Sequence, residues 1–259
     1  MNNPLIVLAP SKRMEIAGMI LNQDKCGSPL FLTEAAILAG ILKSKSEIKL
    51  MKLLGISKSL AKSVHEQYAL WPSGVNTSAA LWTYKGDVYR GLLADSLSAS
   101  DATWAQQHLI IVSALYGILR PFDIIKKYRL EMNTKVRVHK CQNPLEFWGT
   151  KLSEYPSRNG YTWICICSSS EYARPIIKQQ KLPVVIPMFM DHKKNGEVAV
   201  VPIYSKLMRG VFARWIIENR ITEPEQLASF SAHGYMFDED RSVLASPVFV
   251  RATMSPLRF

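Results

Sequence analysis

Short runs of hydrophobic residues, each bounded by turn-forming residues, recur along the whole chain. They are rich in valine, isoleucine, tryptophan and tyrosine, which is typical of buried β-strands. The predicted strands are residues 5–9, 79–84, 109–114, 162–167, 184–189 and 198–204. Asn195-Gly196 lies between the last two runs and predicts a β-hairpin, because both residue types tolerate a positive φ angle.

Segments with apolar residues at helical spacing lie between these runs. The predicted helices are residues 33–43, 47–54, 58–70, 99–108, 145–155, 206–219 and 223–229. Thr222 and Glu225 have the spacing of a capping box at the start of the last helix. Since strands and helices mix throughout, with an antiparallel hairpin among them, the pattern predicts one mixed α/β domain over residues 1–259.

The charge of the chain favours a polyanionic partner. Lysine and arginine outnumber aspartate and glutamate by 32 to 21, which gives a formal net charge of +11 among 259 residues. An excess of this size is typical of proteins that bind nucleic acid. A protein that is merely basic, without such a partner, is the alternative. Each basic helix also has an apolar face that can pack in the protein core, so we expect no membrane association.

The remaining composition indicates a cytoplasmic protein without a cofactor. The first apolar run is too short for a signal peptide or a membrane span, and no basic segment precedes it. Four cysteines in a chain of this length do not form a disulfide framework. The five histidines lack ligand spacing, so no metal site is expected. We find no Walker loop, dinucleotide fingerprint or nucleophile elbow.

Residues 47–68 resemble a helix-hairpin-helix, in which a tight turn grips a DNA phosphate. Gly55 stands where a helix ends in a left-handed residue, and Ser57 can cap the next helix. Lys58 and Lys62 follow in the first turns of that helix, where a bound anion would offset their repulsion from the helix dipole. A plain helical hairpin with solvated lysines is the alternative.

A second candidate is the basic helix predicted within residues 204–220. Lys206 and Arg209 fall on one face with Arg220, and Arg214 flanks them. Gly210 lowers helix propensity by ~1 kcal/mol, which a close backbone approach would justify. The face suits a phosphate backbone, and it also suits an ordinary half-buried helix with a cationic side.

The third candidate is a set of polar loops near the ends of predicted strands, where α/β folds commonly build sites. Its charged and aromatic residues are Lys85, Asp87, Tyr116, Arg120, Arg129 and Glu131. They could bind a phosphate or a base, or supply an acid and a base. Structural ion pairs are the alternative, because no spacing among them belongs to a particular reaction.

Several long motifs resemble the bacterial peroxide-stress protein YaaA family. Ala9-Pro10-Ser11-Lys12 is similar to the family's N-terminal Ser-Pro-Ala-Lys. The segments YKGDVYRGL, LYGILRPFD, YRLEM and WIIENR follow in the family's order. The resemblance runs from about residue 5 to residue 242 and implies a YaaA-like fold, a mixed sheet surrounded by helices with an inserted helix-hairpin-helix. It also implies a basic cleft, DNA binding, resistance to hydrogen peroxide and limitation of free iron.

The chain departs from the family pattern at four positions. The family usually has serine at Ala9, threonine at Arg13, asparagine at Ile166 and a basic residue at Leu207. If Ala9 and Ile166 replace polar groups of the cleft, any chemistry there is affected.

The leading hypothesis is a monomeric protein that binds duplex or distorted DNA with little sequence preference. The residues expected to contact DNA are Lys12, Gly55, Ser57, Lys58, Lys62, Lys85, Arg120, Arg129, Lys206, Arg209 and Arg214. A rival hypothesis is an enzyme acting on a nucleotide or a base in the same cleft. Its candidate residues are Asp87, Glu131 and Glu171 as acid or base, with Tyr116 or Tyr172 for stacking. A third is an iron-sequestering protein.

Overall fold

Strands and helices alternate in the computed structural model, which describes residues 3–16, 26–72, 77–193 and 195–252. In chain order the strands are β1 (Pro4–Leu8), β2 (Arg13–Met14), β3 (Thr77–Ala79), β4 (Tyr84–Lys85), β5 (Leu109–Ser113), β6 (Gly117–Leu119), β7 (Ile124–Lys126), β8 (Trp163–Cys167), β9 (Val184–Val185), β10 (Met188–His192), β11 (Val198–Ala199), β12 (Tyr235–Phe237) and β13 (Val248–Arg251). The α-helices are α1 (Leu32–Lys43), α2 (Glu47–Leu54), α3 (Lys58–Ala69), α4 (Ala80–Thr83), α5 (Asp87–Leu92), α6 (Ala99–His108), α7 (Pro144–Trp148), α8 (Lys151–Arg158), α9 (Ser170–Ile177) and α10 (Pro202–Asn219). Short 3₁₀ helices span Ala94–Ser96 and Pro224–Ser229.

A five-stranded sheet with the order β6-β5-β1-β8-β9 forms the core. Strands β5, β1, β8 and β9 are parallel, and β6 pairs with β5 in the antiparallel sense. Every residue of β1, β5 and β8 is buried. Continuous apolar runs, rather than alternating ones, are what a sheet covered on both faces requires.

A second sheet has the order β11-β10-β13-β12 and also mixes strand directions. Strands β10 and β13 are parallel, whereas the other two pairings are antiparallel. The hairpin predicted at Asn195-Gly196 is confirmed, since Asp191 pairs with Ala199 and Gly196 has a φ angle of +80°. The fold is therefore a single mixed α/β domain with mixed sheets, as the sequence predicts.

The prediction of a strand over residues 79–84 is wrong. The segment forms the single helical turn α4, which lies between the short strands β3 and β4. Thr83 donates its hydroxyl to the carbonyl of Ala79, and the amide of Ala80 donates to the carbonyl of Asp123. A short run that is buried on all sides shows no periodicity, so contacts with distant residues decide between helix and strand.

Other predicted elements are divided by single residues with special backbone geometry. The helix predicted over residues 145–155 is two helices, because Gly149 adopts a φ angle of +52° between them. The strand predicted over residues 198–204 ends at Ala199, and Pro202 begins α10 at a position where proline is favoured. The run 184–189 leaves the central sheet after Val185 and enters the second sheet at Met188.

The capping box near residue 222 is present but one position later than predicted. Glu223, rather than Thr222, is the cap, and the side chain of Gln226 accepts from the amide of Glu223. Gln226 also accepts from the amide of Thr222. The amide side chain reaches both donors, which Glu225 does not.

Helices α5 and α10 cross at a contact between their backbones. A Cβ atom on Gly210 would overlap the carbonyl oxygen of Val88, and one on Gly91 would overlap the carbonyl oxygen of Leu207. The close approach that justifies a helical glycine at position 210 is thus confirmed. The crossing fixes the basic side of α10 beside the start of α5.

Helices α2 and α3 form a hairpin on the molecular surface. Gly55 ends α2 in the left-handed conformation, with φ 60° and ψ 43°. Ser57 caps α3, since its hydroxyl accepts from the amide of Leu60 at 3.3 Å. Tyr68 of α3 donates its hydroxyl to the carbonyl of Arg129, which attaches the hairpin to the rest of the fold. None of the described helices is long and apolar enough to cross a membrane.

Candidate functional site

A cleft lies beyond the carboxyl ends of β1 and β8. Within this sheet the chain passes from β1 to β5, which lies beside β1 on the side away from β8. It passes from β8 to β9, which lies beside β8 on the side away from β1. The connections therefore leave these two neighbours in opposite directions. Ligands of open α/β sheets bind at such switch points, because the diverging connections leave a crevice between them.

The cleft has a volume of about 430 Å³ and is assembled from five parts of the chain. Its walls are the segment after β1 (residues 9–12), the start of α5 (residues 86–89), residues 128–131, the start of α9 (Ser169, Glu171 and Tyr172), and Lys206 and Arg209 of α10. This volume lies within the range of roughly 300–1,000 Å³ that small-molecule sites occupy.

Cations line one part of this cleft without a carboxylate partner. Among the described residues, Arg129, Lys206 and Arg209 form no ion pair, and Arg129 donates only to the carbonyl of Lys12, at 3.2 Å. Arg209 is half-buried, and this burial lowers the pKa of its guanidinium from the ordinary value. A charge that is partly removed from water and left unpaired costs free energy, which a bound anion would offset.

Three carboxylates line the same cleft in the described part of the chain. Glu131 forms an ion pair with Lys12, with 2.5 Å between Oε1 and Nζ. Asp87 is 3.6 Å from Arg90, and Glu171 accepts weakly from the amide of Asn133 at 3.4 Å. The structure therefore brings together the acid–base candidates Asp87, Glu131 and Glu171 that the sequence proposes.

A layer of buried tyrosines forms the floor beneath these charges. Tyr128 exchanges 2.8 Å hydrogen bonds with Tyr84 and with Ser113 at the end of β5, and burial raises its pKa to about 12. Tyr89 donates to the carbonyl of Ala9 at 2.8 Å. Sequence reasoning missed this layer, although the tyrosines of its charged motifs, YKGDVY and YRLEM, supply three of these residues.

The two tyrosines proposed for stacking lie in different places. Tyr172 lines the cleft, although it is mostly buried, and burial raises its pKa. Tyr116 does not line the cleft but lies in the core behind Tyr128, with their rings 5.6 Å apart, and its hydroxyl accepts from the amide of Lys126.

Three further cations proposed for DNA binding lie outside the cleft. Lys85 faces an adjoining hollow and is 3.9 Å from Asp95. Arg120 lies at the opposite, amino-terminal end of the sheet, where it pairs with the buried Asp123 at 2.9 Å. Arg214 pairs with Glu218 and donates to the carbonyls of Leu92 and Leu93 at the end of α5, so it ties α10 to that segment.

The turn of the helical hairpin is exposed and forms a second basic surface. Gly55, Ser57, Lys58 and Lys62 are all exposed, and none of them lines the cleft. A Cβ atom on Gly55 would meet no atom within 4 Å. The proposed DNA-contacting residues thus fall mainly on two surfaces, the cleft and the hairpin turn.

The departures from the family pattern occupy three kinds of position. Ala9 lines the cleft, so the hydroxyl that the family usually has there is missing from its wall. Ile166 is buried within β8, and Leu207 is buried in α10 near Gly91. Arg13 is exposed and pairs with Glu15 at 2.7 Å.

Possible metal ligands lie apart from one another among the residues that the structure describes. Among the described residues, no three or more histidine, cysteine, aspartate or glutamate side chains form a group that could hold a metal ion. Cys165 and Cys167 lie side by side on β8 with their sulfur atoms 3.8 Å apart, and the hydrogen bond with Cys167, together with burial, raises the pKa of the Cys165 thiol.

Comparisons with known proteins agree on one family. The family model described as peroxide stress protein YaaA matches residues 5–241. An UPF0246 protein of Bordetella avium is 36% identical over 255 residues, which cover 95% of this chain and 98% of the relative. UPF0246 proteins of Bordetella pertussis and Ruegeria pomeroyi are each 35% identical over the same length and the same shares.

Proposed function

The chain belongs to the peroxide stress protein YaaA family, and we propose that it acts in the hydrogen-peroxide stress response by binding DNA. The observation that carries the proposal is the group formed by Arg129, Lys206 and Arg209. These cations line one cleft and form no ion pair among the described residues. Unpaired cations on a concave surface attract polyphosphate, because field lines concentrate there and counterions are released on binding.

The hairpin of α2 and α3 supports the proposal as a second phosphate contact of the helix-hairpin-helix type. The amides of Lys58 and Ser59 have no acceptor among the described residues, and the first turn of α3 contains no acidic residue. Free amides at a positive helix end, with lysines beside them, form a ready site for a backbone phosphate. Contacts of this type position the protein and carry little sequence information.

The hairpin contact is tested by reversing the charge of Lys58 and Lys62. Both side chains are exposed, so Lys58→Glu with Lys62→Glu should leave the fold intact and weaken binding to mixed-sequence duplex DNA about tenfold or more at low salt. The matched control is Lys140→Glu with Lys181→Glu, which changes the net charge equally at exposed positions outside both surfaces. Equal losses in the two double variants would show that only bulk charge matters.

Limitation of free iron, which the family resemblance implies, forms part of the same proposal. Iron that reacts with hydrogen peroxide near DNA damages it, so a lower iron level and DNA binding serve the same end. The family resemblance is the reason for including the iron level in the proposal.

An enzyme that acts on a nucleotide or a base in the cleft is the second candidate. The observation that favours it is the presence of Asp87, Glu131 and Glu171 in the same cleft as the cations. Phosphate binding does not need carboxylates, whereas a carboxylate can serve as the acid or the base in proton transfer. If Asp87→Asn abolishes turnover of a nucleotide or base substrate while DNA affinity is kept, the enzyme is favoured. Full turnover in that variant would show that Asp87 takes no part in the reaction.

A further inference from the structure

The shape of the cleft restricts what can enter it. A volume of about 430 Å³ accommodates a molecule of nucleotide size. A DNA duplex is too wide to enter this volume, so it would reach the cleft cations only through phosphates of its backbone or its end. The interior of the cleft, where Arg209 lies half-buried, is therefore suited to one small unit rather than to a continuous helix.

The charges of the cleft favour a group with two negative charges. Among the described residues, Lys12 is matched by Glu131 and Asp87 by Arg90. Arg129, Lys206 and Arg209 then face one unpaired carboxylate among these residues, Glu171, which leaves a surplus of two positive charges. A phosphodiester carries one negative charge, whereas a phosphomonoester carries about 1.5 to 2 at pH 7 and offers three strong acceptor oxygens. The planar guanidinium of an arginine binds such a group through two parallel hydrogen bonds.

The carboxylates argue in the same direction. Asp87, Glu131 and Glu171 would repel a strand of DNA threaded along the cleft. They can accept hydrogen bonds from the hydroxyl and amino groups of a single nucleotide, because ionised carboxylates are acceptors only. A mixed lining of this kind suits a molecule with an anionic end and an end that donates hydrogen bonds.

We propose that the cleft is a phosphomonoester site, in which Arg209, with Lys206 and Arg129, holds the terminal phosphate of one nucleotide unit. This inference rests on the proposed function only in so far as both assign phosphate to these cations. Two sources share the chemistry, namely a free nucleoside monophosphate and the 5′-phosphate at an end of DNA.

The test compares ligands that differ by the phosphate alone. Calorimetric titration with deoxyadenosine monophosphate should show saturable binding at one site, and deoxyadenosine should bind at least about tenfold more weakly. Arg209→Gln should weaken monophosphate binding about tenfold or more, and Lys206→Gln at an exposed position should weaken it to a smaller extent. Lys181→Gln, which lies outside the cleft, should leave it unchanged.

A second arm identifies the source of the phosphate. Blunt duplexes with 5′-phosphate and 5′-hydroxyl ends are compared for affinity. If the phosphorylated duplex binds more tightly and the free monophosphate competes with it, the site takes DNA ends. If the two duplexes bind equally and the monophosphate still binds saturably, the site takes the free nucleotide.

Two results would overturn the inference. One is equal binding of deoxyadenosine and its monophosphate; the other is unchanged monophosphate affinity in both folded variants, Arg209→Gln and Lys206→Gln. The affinity for the 5′-hydroxyl duplex tests the proposed DNA binding separately, because this duplex carries no phosphomonoester. If that duplex binds and the monophosphate does not, the inference alone fails; if only the monophosphate binds, DNA binding alone fails.

Discussion

Asp191 and Arg251 form an ion pair that is almost completely removed from water, with side chains only 2% and 4% exposed. Oδ1 of Asp191 accepts from Arg251 at 2.6 Å, and Oδ2 accepts from the hydroxyl of Tyr235 at 2.5 Å. The Arg251 guanidinium also lies over the rings of Tyr204 and Tyr235. These contacts join β10, β12 and β13 to the start of α10, so they hold the helix that carries Lys206 and Arg209.

Removing one charge of this pair should destabilise the protein strongly. Asp191→Asn leaves the Arg251 charge buried without its carboxylate partner, which typically costs about 3–5 kcal/mol. The measurement is urea unfolding followed by circular dichroism. The matched control is Glu197→Gln, which breaks the exposed pair between Lys193 and Glu197 and should change the midpoint little. Similar midpoints for the two variants would contradict a structural role for the buried pair.

The properties of single residues could be predicted from the sequence only where local chemistry decides them. Gly55 and Ser57 end one helix and begin the next as predicted, because a left-handed turn and a cap depend on neighbouring residues. The sequence predicts that Arg120 and Arg214 lie with the other cations. Their actual partners, Asp123 and the carbonyls at the end of α5, are set by packing that sequence spacing does not reveal.

At the scale of elements, the crossing of α5 and α10 positions the cleft. Gly91 and Gly210 let the two backbones touch, which brings Lys206 and Arg209 of α10 to the start of α5. Any side chain at these glycines would push the helices apart. The crossing therefore couples the stability of the fold to the geometry of the cleft.

Substitution of Gly210 by alanine tests this coupling. The added Cβ would overlap the carbonyl of Val88. Gly210→Ala should therefore lower the free energy of unfolding by about 1–3 kcal/mol or more, although alanine has the better helix propensity. Gly40 is the matched control, because it lies within α1 with no atom near its Cβ position. Gly40→Ala should gain up to about 1 kcal/mol. Thermal unfolding of both variants gives the comparison, and a gain at both positions would show that the crossing tolerates separation.

Elements with clear start and stop signals were predicted well, and buried connecting segments were not. Helices α2 and α6 have the predicted bounds, since the left-handed Gly55 that ends α2 and the Ser98 cap that begins α6 are local features. The short strands β6, β7 and β12 carry no comparable signal, because three residues are too few to show alternation and pairing with other strands defines them. The turn α4 was predicted as strand for the same reason.

At the scale of the whole molecule, the net charge of +11 predicts a polyanionic partner but not where it binds. The fold places Arg129, Lys206 and Arg209 around one switch point and leaves Lys58 and Lys62 on an exposed turn, and these are the two locations that we propose. The remaining cations named from the sequence are matched by carboxylates or lie elsewhere. Binding should therefore depend on a few positions rather than on total charge.

The most direct test is the salt dependence of duplex DNA binding by the natural chain and by the triple variant Arg129→Gln, Lys206→Gln and Arg209→Gln. Each phosphate contact contributes about 0.9 to the slope of log affinity against log salt concentration. We predict a steep slope for the natural chain and a slope reduced by about 1 to 3 in the triple variant. A flat slope for the natural chain, or identical steep slopes for both proteins, would contradict DNA binding through the cleft.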